Sequence, residues 1–166
     1  MSVSNQAAGR QAEVAESCPL CGAAVAGGAC RRLFEEVLTF EYGSPGFGAV
    51  HQLTVDAYAL QHCEEHRPRS NAFHLARLCM FLEHGADAGI GRQYRWLQVR
   101  LENDRAVPYL EPPADRGTVT IAEVHGAKTT QEHAERTRRW ATSVWKAWSD
   151  YHEWARQWLQ GSRNRS

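Results

Sequence analysis

The stretch His51–His62, with the sequence HQLTVDAYALQH, decides how the rest of the chain is organised. On an α-helix, four of its residues follow one another at i, i+4, i+7 and i+11 and share one stripe: His51, Val55, Tyr58 and His62. Three apolar residues occupy the opposite side: Leu53, Ala57 and Leu60. Because such a helix is apolar nearly all round, the stretch predicts a central helix with two imidazoles facing the interior.

Helices are predicted on both sides of this one. Apolar residues at helical spacing run from Cys30 to Tyr42 and stop at the Gly43–Gly46 turn. The central helix should cover the range from His51 to Cys63. A third helix should run from an N-cap at Ser70 to His84, where a glycine follows and ends it.

The longest predicted helix extends from Thr130 to Gln160. Eight of its residues crowd one side: His133, Thr137, Trp140, Val144, Trp148, Tyr151, Ala155 and Trp158. Arg138, Arg139 and Lys146 lie largely elsewhere. An aromatic stripe at helical spacing is typical of core packing, so this side is predicted to be the core face.

The segments between the third and the last helix are less regular. Gly91–Glu102 is predicted to be a weaker helix or an extended segment, and prolines keep Val107–Pro113 out of helix. The run Thr118–Ile121 is either a short β-prone segment or the entry to a helix at Ile121–Val124.

These elements predict an all-α fold, a helical bundle with an N-terminal zinc-knuckle-like segment. Residues 1–17 are expected to form a disordered tail and 18–159 a single helical domain, within which 18–30 is the metal knuckle. Residues 160–166 are expected to be a frayed basic tail.

Charge and hydropathy exclude some classes of function. The 166 residues contain 19 Lys and Arg against 19 Asp and Glu, so the chain has no global positive field to attract nucleic acid by bulk charge. It has no apolar run of about 20 residues that could span a membrane, and Met1–Ser17 lacks the apolar stretch of a signal peptide. A cytoplasmic protein is expected.

The N-terminal cysteines predict a metal site. Cys18 and Cys21 form a CxxC pair, and Cys30 follows nine residues later, across a run of small residues. Three thiols kept reduced in the cytosol suit a structural Zn²⁺ ion, which takes four tetrahedral ligands. A redox pair and unligated thiols are the alternatives. Cys79 is interpreted as a core residue, whereas Cys63, next to His62, could be a ligand.

Periodicity places several other potential ligands inside the bundle. They are Glu41, His51, His74 and His133, together with His62. We assign His62 as the fourth zinc ligand, because it ends the central helix near a loop where the knuckle could dock; His51 and His74 are the rivals. The others are candidates for a second divalent metal ion or for the lining of a pocket, although buried imidazoles can also be satisfied by hydrogen bonds. Asp56 could orient an imidazole or could be solvated.

The chain resembles a bacterial family of small proteins known only as a domain of unknown function. The resemblance spans about residues 18–159 and rests on these strings: Cys18–Ala23, Cys30 before Leu33-Phe34, Glu41-Tyr42, His51–His62, His74-Leu75, Leu78-Cys79, His133, Trp140-Ala141, Val144-Trp145 and Ala147-Trp148. It implies no established activity. A weaker similarity is to metal-dependent bundles of the DinB type, in which His51 and His133 would stand in for members of a three-histidine metal site.

Two functions compete at this point. The first is a zinc-stabilised helical protein whose His-lined interior pocket binds a small molecule or a protein partner. The second is a DinB-like hydrolase or thiol transferase, in which a second ion activates water or a thiol. A regulatory or toxin-system adaptor would leave no residue signature. Catalytic residues, the substrate and the oligomeric state are not assigned.

Overall fold

A computed structural model describes residues 17–25, 29–85 and 107–163, together with the single positions 97 and 99. Within these residues the fold is all-α, with six α-helices: α1 (Ala29–Gly43), α2 (His51–Gln61), α3 (Pro68–His84), α4 (Ile121–His125), α5 (Thr130–Ala147) and α6 (His152–Arg163). Three short 3₁₀ turns join them: Phe47–Val50, Cys63–Glu65 and Ser149–Tyr151. No helix of the described part is both long and apolar enough to cross a membrane.

Helix α2 is the centre of the fold, as its all-round apolar sequence predicts. It packs against α3 on one side and α5 on another, while α1 packs on α4 and α3 on α6. Leu53, Ala57 and Leu60 are buried, and so are Trp140 and Trp148 of the predicted core face. Helix α2 therefore contributes side chains from more than one of its faces to the main core.

The N-terminal segment forms a knuckle-like turn. Ser17 and Ala24 form an isolated antiparallel bridge, and the Cys18 N–H donates to the Ala23 carbonyl at 2.8 Å. Gly22 closes the turn with φ +71°, a conformation that residues with a side chain rarely adopt. Cys21 of this turn belongs to the main core together with Cys30 at the start of α1, so the turn packs against the core beside α1.

Helix α3 begins three residues earlier than predicted, because its N-cap is Arg67 instead of Ser70. Pro68 is at its first position, and Arg67 before it is extended, with φ −71° and ψ 145°. Proline favours this start because it lacks the N–H that a first-turn residue would leave unpaired, and it keeps the preceding residue out of helix. Ser70 is therefore not the N-cap; its hydroxyl lies 3.3 Å from Nε2 of His74.

The predicted single helix from Thr130 to Gln160 is wrong, because it breaks after Ala147 into α5 and α6. The His152 ring stacks on Trp145, with centroids 3.7 Å apart, and its Nε2 donates to the Trp145 carbonyl at 2.7 Å. The break also directs Tyr151 to the loop after residue 107, where its hydroxyl accepts the Glu111 N–H at 2.8 Å. These contacts offset the helical hydrogen bonds lost at the turn.

The remaining sequence expectations have mixed outcomes. The run Thr118–Ile121 is a helix entry, since Thr120 and Glu123 form a capping box at the start of α4. The segment Gly91–Glu102 lies outside the described residues except for two positions, of which Leu97 is buried against Ala76 and Met80. The predicted tail 1–17 lies outside them up to residue 16, and so do residues 164–166.

An ion pair between α3 and α6 gives a prediction on pH. Both carboxylate oxygens of Glu83 accept from Arg156, at 2.6 to 3.1 Å, and these bonds hold the pKa of Glu83 below its usual value. The ion pair therefore stabilises the fold fully above about pH 4.3, the ordinary pKa of a glutamate. This stabilisation is lost as the pH falls through the lower pKa that Glu83 has in the folded protein. Glu83→Gln should cost up to about 1 kcal/mol at pH 7, because the pair is partly exposed. Urea unfolding at several pH values measures this.

The matched control is Glu135→Gln, which removes a carboxylate that accepts from neutral Gln131. It should change the free energy of unfolding by less than Glu83→Gln does at pH 7. A Glu83→Gln difference that stays the same from pH 7 to pH 3 would contradict the ion-pair explanation.

Candidate metal centre

Four potential metal ligands meet where the N-terminal turn, α1 and α2 come together. They are Cys18, Cys21, Cys30 and His62, and one ligand atom from each lies within 4.8 Å of all the others. Cys18 and Cys21 come from the turn, Cys30 from the first turn of α1, and His62 from the residue that follows α2. The structure thus places His62, and not the rivals His51 or His74, beside the three thiols.

The distances match those around a tetrahedral ion. Sγ of Cys21 lies 3.6 Å from Sγ of Cys30, and Sγ of Cys18 lies 3.7 Å from Nε2 of His62. With bonds of about 2.3 Å to sulfur and about 2.0 Å to nitrogen, a tetrahedral ion separates two sulfurs by about 3.8 Å and a sulfur from a nitrogen by about 3.5 Å. The four side chains could hold one metal ion with little rearrangement.

The His62 ring is held with the correct nitrogen facing the sulfurs. Its Nδ1 donates to the Tyr58 carbonyl at 3.1 Å, which leaves Nε2 with its lone pair directed at Cys18. The ring stacks on Tyr58 at 4.1 Å, and Tyr58 stacks on Phe34 at 4.0 Å. A second hydrogen bond of this kind orients most metal-binding histidines and fixes their tautomer.

Burial determines the protonation of these groups. It lowers the pKa of His62, so the imidazole is neutral and able to bind a metal. It raises the pKa of Cys21 to about 11 and also raises that of Cys30. Burial acts in the same direction on Cys18, but hydrogen bonds from the backbone of Cys21 and Leu20 bring its pKa below the usual value. A bound cation would reverse the cost of the buried thiolates.

The comparison with known protein families bears on the same region. A family model described as a family of unknown function, DUF5946, matches residues 16–149. The chain belongs to DUF5946. The match includes the four clustered ligands and helices α1 to α5. No curated protein and no solved structure matches the chain.

A buried carboxylate connects three helices in this DUF5946 chain. The side chain of Glu41, in α1, is fully buried and accepts three hydrogen bonds. They come from Nδ1 of His51 at 2.8 Å, Nε2 of His133 at 2.8 Å and the Thr54 hydroxyl at 2.5 Å. Since α2 supplies His51 and Thr54 and α5 supplies His133, this network ties the bundle together.

The geometry of this network differs from that expected for a second metal ion. His51 binds one oxygen of Glu41 and His133 binds the other. Among the described residues, these three side chains do not form a group whose ligand atoms all lie within 4.8 Å of one another. As the structure stands, hydrogen bonds satisfy the carboxylate without an ion.

His74 lies in a different network. Its Nδ1 is 2.8 Å from the carboxylate of Asp56, which also binds Arg77 through Nε at 2.9 Å. Asp56 is fully buried, so the solvated alternative for this residue is wrong. The sequence of α3 contains a signal for this network. His74 and Arg77 are three residues apart, so both side chains can reach the same point of α2.

The other two cysteines, Cys63 and Cys79, lie outside the group of four clustered ligands. Cys63 is buried and 3.5 Å from the Glu64 carboxylate, outside the metal group. Cys79 is fully buried, as predicted, although its sulfur belongs to a second group of potential ligands with Glu83 and His84. Glu83 is engaged by Arg156 through both oxygens, so this second group is an ion pair beside a thiol.

Proposed function

We propose that this chain is a zinc-stabilised helical protein in which one Zn²⁺ ion is bound by Cys18, Cys21, Cys30 and His62. The observation that carries the proposal is the meeting of these four ligand atoms within 4.8 Å of one another. Zinc is the ion that best fits three thiolates and an imidazole in a tetrahedral arrangement. A site that keeps three thiols as ligands also favours a reducing compartment, the cytoplasm.

The role of this ion is structural. Four protein ligands close a tetrahedral site and leave no position for water or substrate, unlike a catalytic site. Cys21, Cys30 and His62 are each at least 92% buried, with exposures of 8%, 4% and 1%. The ion fastens the N-terminal turn to the start of α1 and the end of α2, because its ligands come from all three. Metal binding would contribute directly to folding.

The competing function is a DinB-like hydrolase or thiol transferase with a second ion at Glu41, His51 and His133. The two imidazoles bind opposite oxygens of the carboxylate, so a second ion would need these side chains to move. The proposal for the interior histidines is therefore that they connect α1, α2 and α5 and leave no metal-binding position open.

Metal content distinguishes the two functions. We expect purified protein to contain about one zinc per chain, measured by elemental analysis against protein concentration. Replacement of zinc by Co²⁺ should give the visible absorption of a tetrahedral thiolate complex, because three sulfurs would surround the ion. His133→Gln should leave both signals unchanged and serves as the control at the other histidine network. Two metal ions per chain, or loss of the metal in His133→Gln, would contradict the proposal.

A further inference from the structure

A groove of about 720 Å³ lies between the loop that precedes α4 and helix α5. Its walls are one face of α5 and four residues of the loop: Asp115, Gly117, Thr118 and Val119. No histidine of the interior networks is among its lining residues. We propose that this groove binds a small organic molecule that carries phosphate groups at both ends. The proposal is independent of the metal site and adds a ligand to the protein's function.

Three cations on α5 give the groove its charge. They are Arg138, Arg139 and Lys146, all of them exposed. None of the three takes part in an ion pair with a residue in the described part of the chain. Their neighbours differ, since Arg136 binds Glu132 on the same helix and Arg116 binds Glu64. Guanidinium groups without a carboxylate partner are the groups that bind phosphate through two parallel hydrogen bonds.

The spacing of the cations predicts a ligand with two anionic ends. Arg138 and Lys146 are eight residues apart, which is about 12 Å along a helix. Between them Thr142 and Ser143 line the groove with hydroxyls, and Val119 faces them from the loop. A molecule of metabolite size can therefore place one phosphate at the arginine pair, its body over the hydroxyls and another phosphate at Lys146. A volume of this size is typical of pockets for small molecules.

The loop is fixed against α5 at close range. Ser143 Oγ accepts hydrogen bonds from the backbone N–H groups of Thr118 at 2.7 Å and Val119 at 3.2 Å. With both lone pairs used, the Ser143 hydroxyl can only donate, either to Thr118 Oγ1 or to a ligand. Gly117 permits this approach: its φ is +101°, and a Cβ there would lie 2.8 Å from Ser143 Oγ.

A buried glutamine holds the loop from the other side. Nε2 of Gln61, at the end of α2, donates to the carbonyls of Arg116 at 3.1 Å and Val119 at 2.9 Å. Its Oε1 accepts from Trp140 Nε1 at 2.8 Å, which fixes the amide orientation. The groove is therefore formed before a ligand arrives, and binding would not have to order the loop.

The net charge of the groove is positive. Asp115 is the one carboxylate among its lining residues, and one of its oxygens accepts the Gly117 N–H at 2.9 Å. Three cations against one anion favour a ligand with at least two negative charges. The positive surface is limited to a little over two turns of α5 in a chain of zero net charge, which favours a small phosphate over a nucleic-acid strand.

Two sugar phosphates test the proposal on the metal-loaded protein. Isothermal titration at low ionic strength should give saturable binding of fructose 1,6-bisphosphate and weaker binding of fructose 6-phosphate, because the second phosphate reaches Lys146. Arg138→Gln or Arg139→Gln should weaken the binding of fructose 1,6-bisphosphate by about tenfold, which corresponds to the loss of one charge-assisted hydrogen bond. Lys146→Gln should remove the difference between the two probes.

The control is Arg32→Gln, which removes an exposed arginine from α1 and should leave binding within about twofold. Gly117→Ala should weaken binding with no change in charge, because its Cβ would push the loop away from Ser143. If this variant does not fold, Ser143→Ala, with its melting temperature measured, tests the same contact. Absence of saturable binding, equal losses in Arg32→Gln and Arg139→Gln, or tighter binding of a single-stranded oligonucleotide than of the bisphosphate would overturn the proposal.

Discussion

Cys21→Ser should remove the bound metal and lower the free energy of unfolding by at least about 3 kcal/mol. Structural zinc contributes about 10 kcal/mol or more to the folding of small metal-dependent domains. The loss expected here is smaller, because the helical core also stabilises this fold. Serine is a poor ligand for zinc at neutral pH, and Cys21 is only 8% exposed, so a water molecule could not easily take its place. Metal analysis and urea unfolding, followed by circular dichroism, measure the two effects.

Cys79→Ser is the matched control, because Cys79 is a fully buried cysteine in α3 outside the four-ligand group. The control should lose some stability, since a hydroxyl replaces a buried thiol, but it should keep its metal. If Cys21→Ser retained the full metal content and the parent melting temperature, the four side chains would not be a metal site.

Glu41→Gln should lower the free energy of unfolding by about 3 kcal/mol. The amide keeps the shape of the carboxylate, but it loses the charge and presents an NH₂ group to one of the two imidazoles that now bind its oxygens. The side chain is fully buried, so water cannot restore the lost bonds. Chemical unfolding measures the effect, and an unchanged metal content would show that this network and the cysteine site are separate.

Glu35→Gln gives the reference for a glutamate on the same helix. Glu35 is exposed and pairs with Arg31 at 3.1 Å, so its loss should cost about 0.5 kcal/mol or less. A double-mutant cycle of Glu41→Gln with Thr54→Val should show a coupling energy of about 1 kcal/mol, because the hydroxyl and the carboxylate are in direct contact. Equal costs at Glu35 and Glu41, or no coupling, would contradict the role given to Glu41.

The helices could be predicted because burial repeats with the helical period. α1 and α2 begin and end within two residues of their predicted bounds, since glycines and apolar spacing mark them. The break between α5 and α6 could not be predicted in this way. The apolar pattern continues through it, and the turn depends on contacts of His152 and Tyr151 with residues that only the tertiary structure brings near.

In the candidate site, too, features set by local sequence could be predicted and features set by tertiary packing could not. The CxxC pair and Cys30 are close in sequence, so local spacing was enough to group them, and the position of His62 at the end of a helix suggested its place beside them. Which partner each inward histidine would meet depends on how the helices are rotated, and the structure separates His74 from the network of Glu41. The groove could not be predicted, because no local pattern in the sequence places the loop before α4 beside Arg138, Arg139 and Lys146.

The distribution of the four clustered ligands along the chain has a consequence for the order of events during synthesis. His62 follows Cys18 by 44 residues, and most of α1 and all of α2 lie between Cys30 and the imidazole. The ribosome therefore releases the three thiols well before the residue that completes the set. An ion taken up early would be held by sulfur alone and would remain exchangeable. Only docking of α2 would close the coordination sphere, so an ion would be retained only by chains that have already assembled the centre of the bundle.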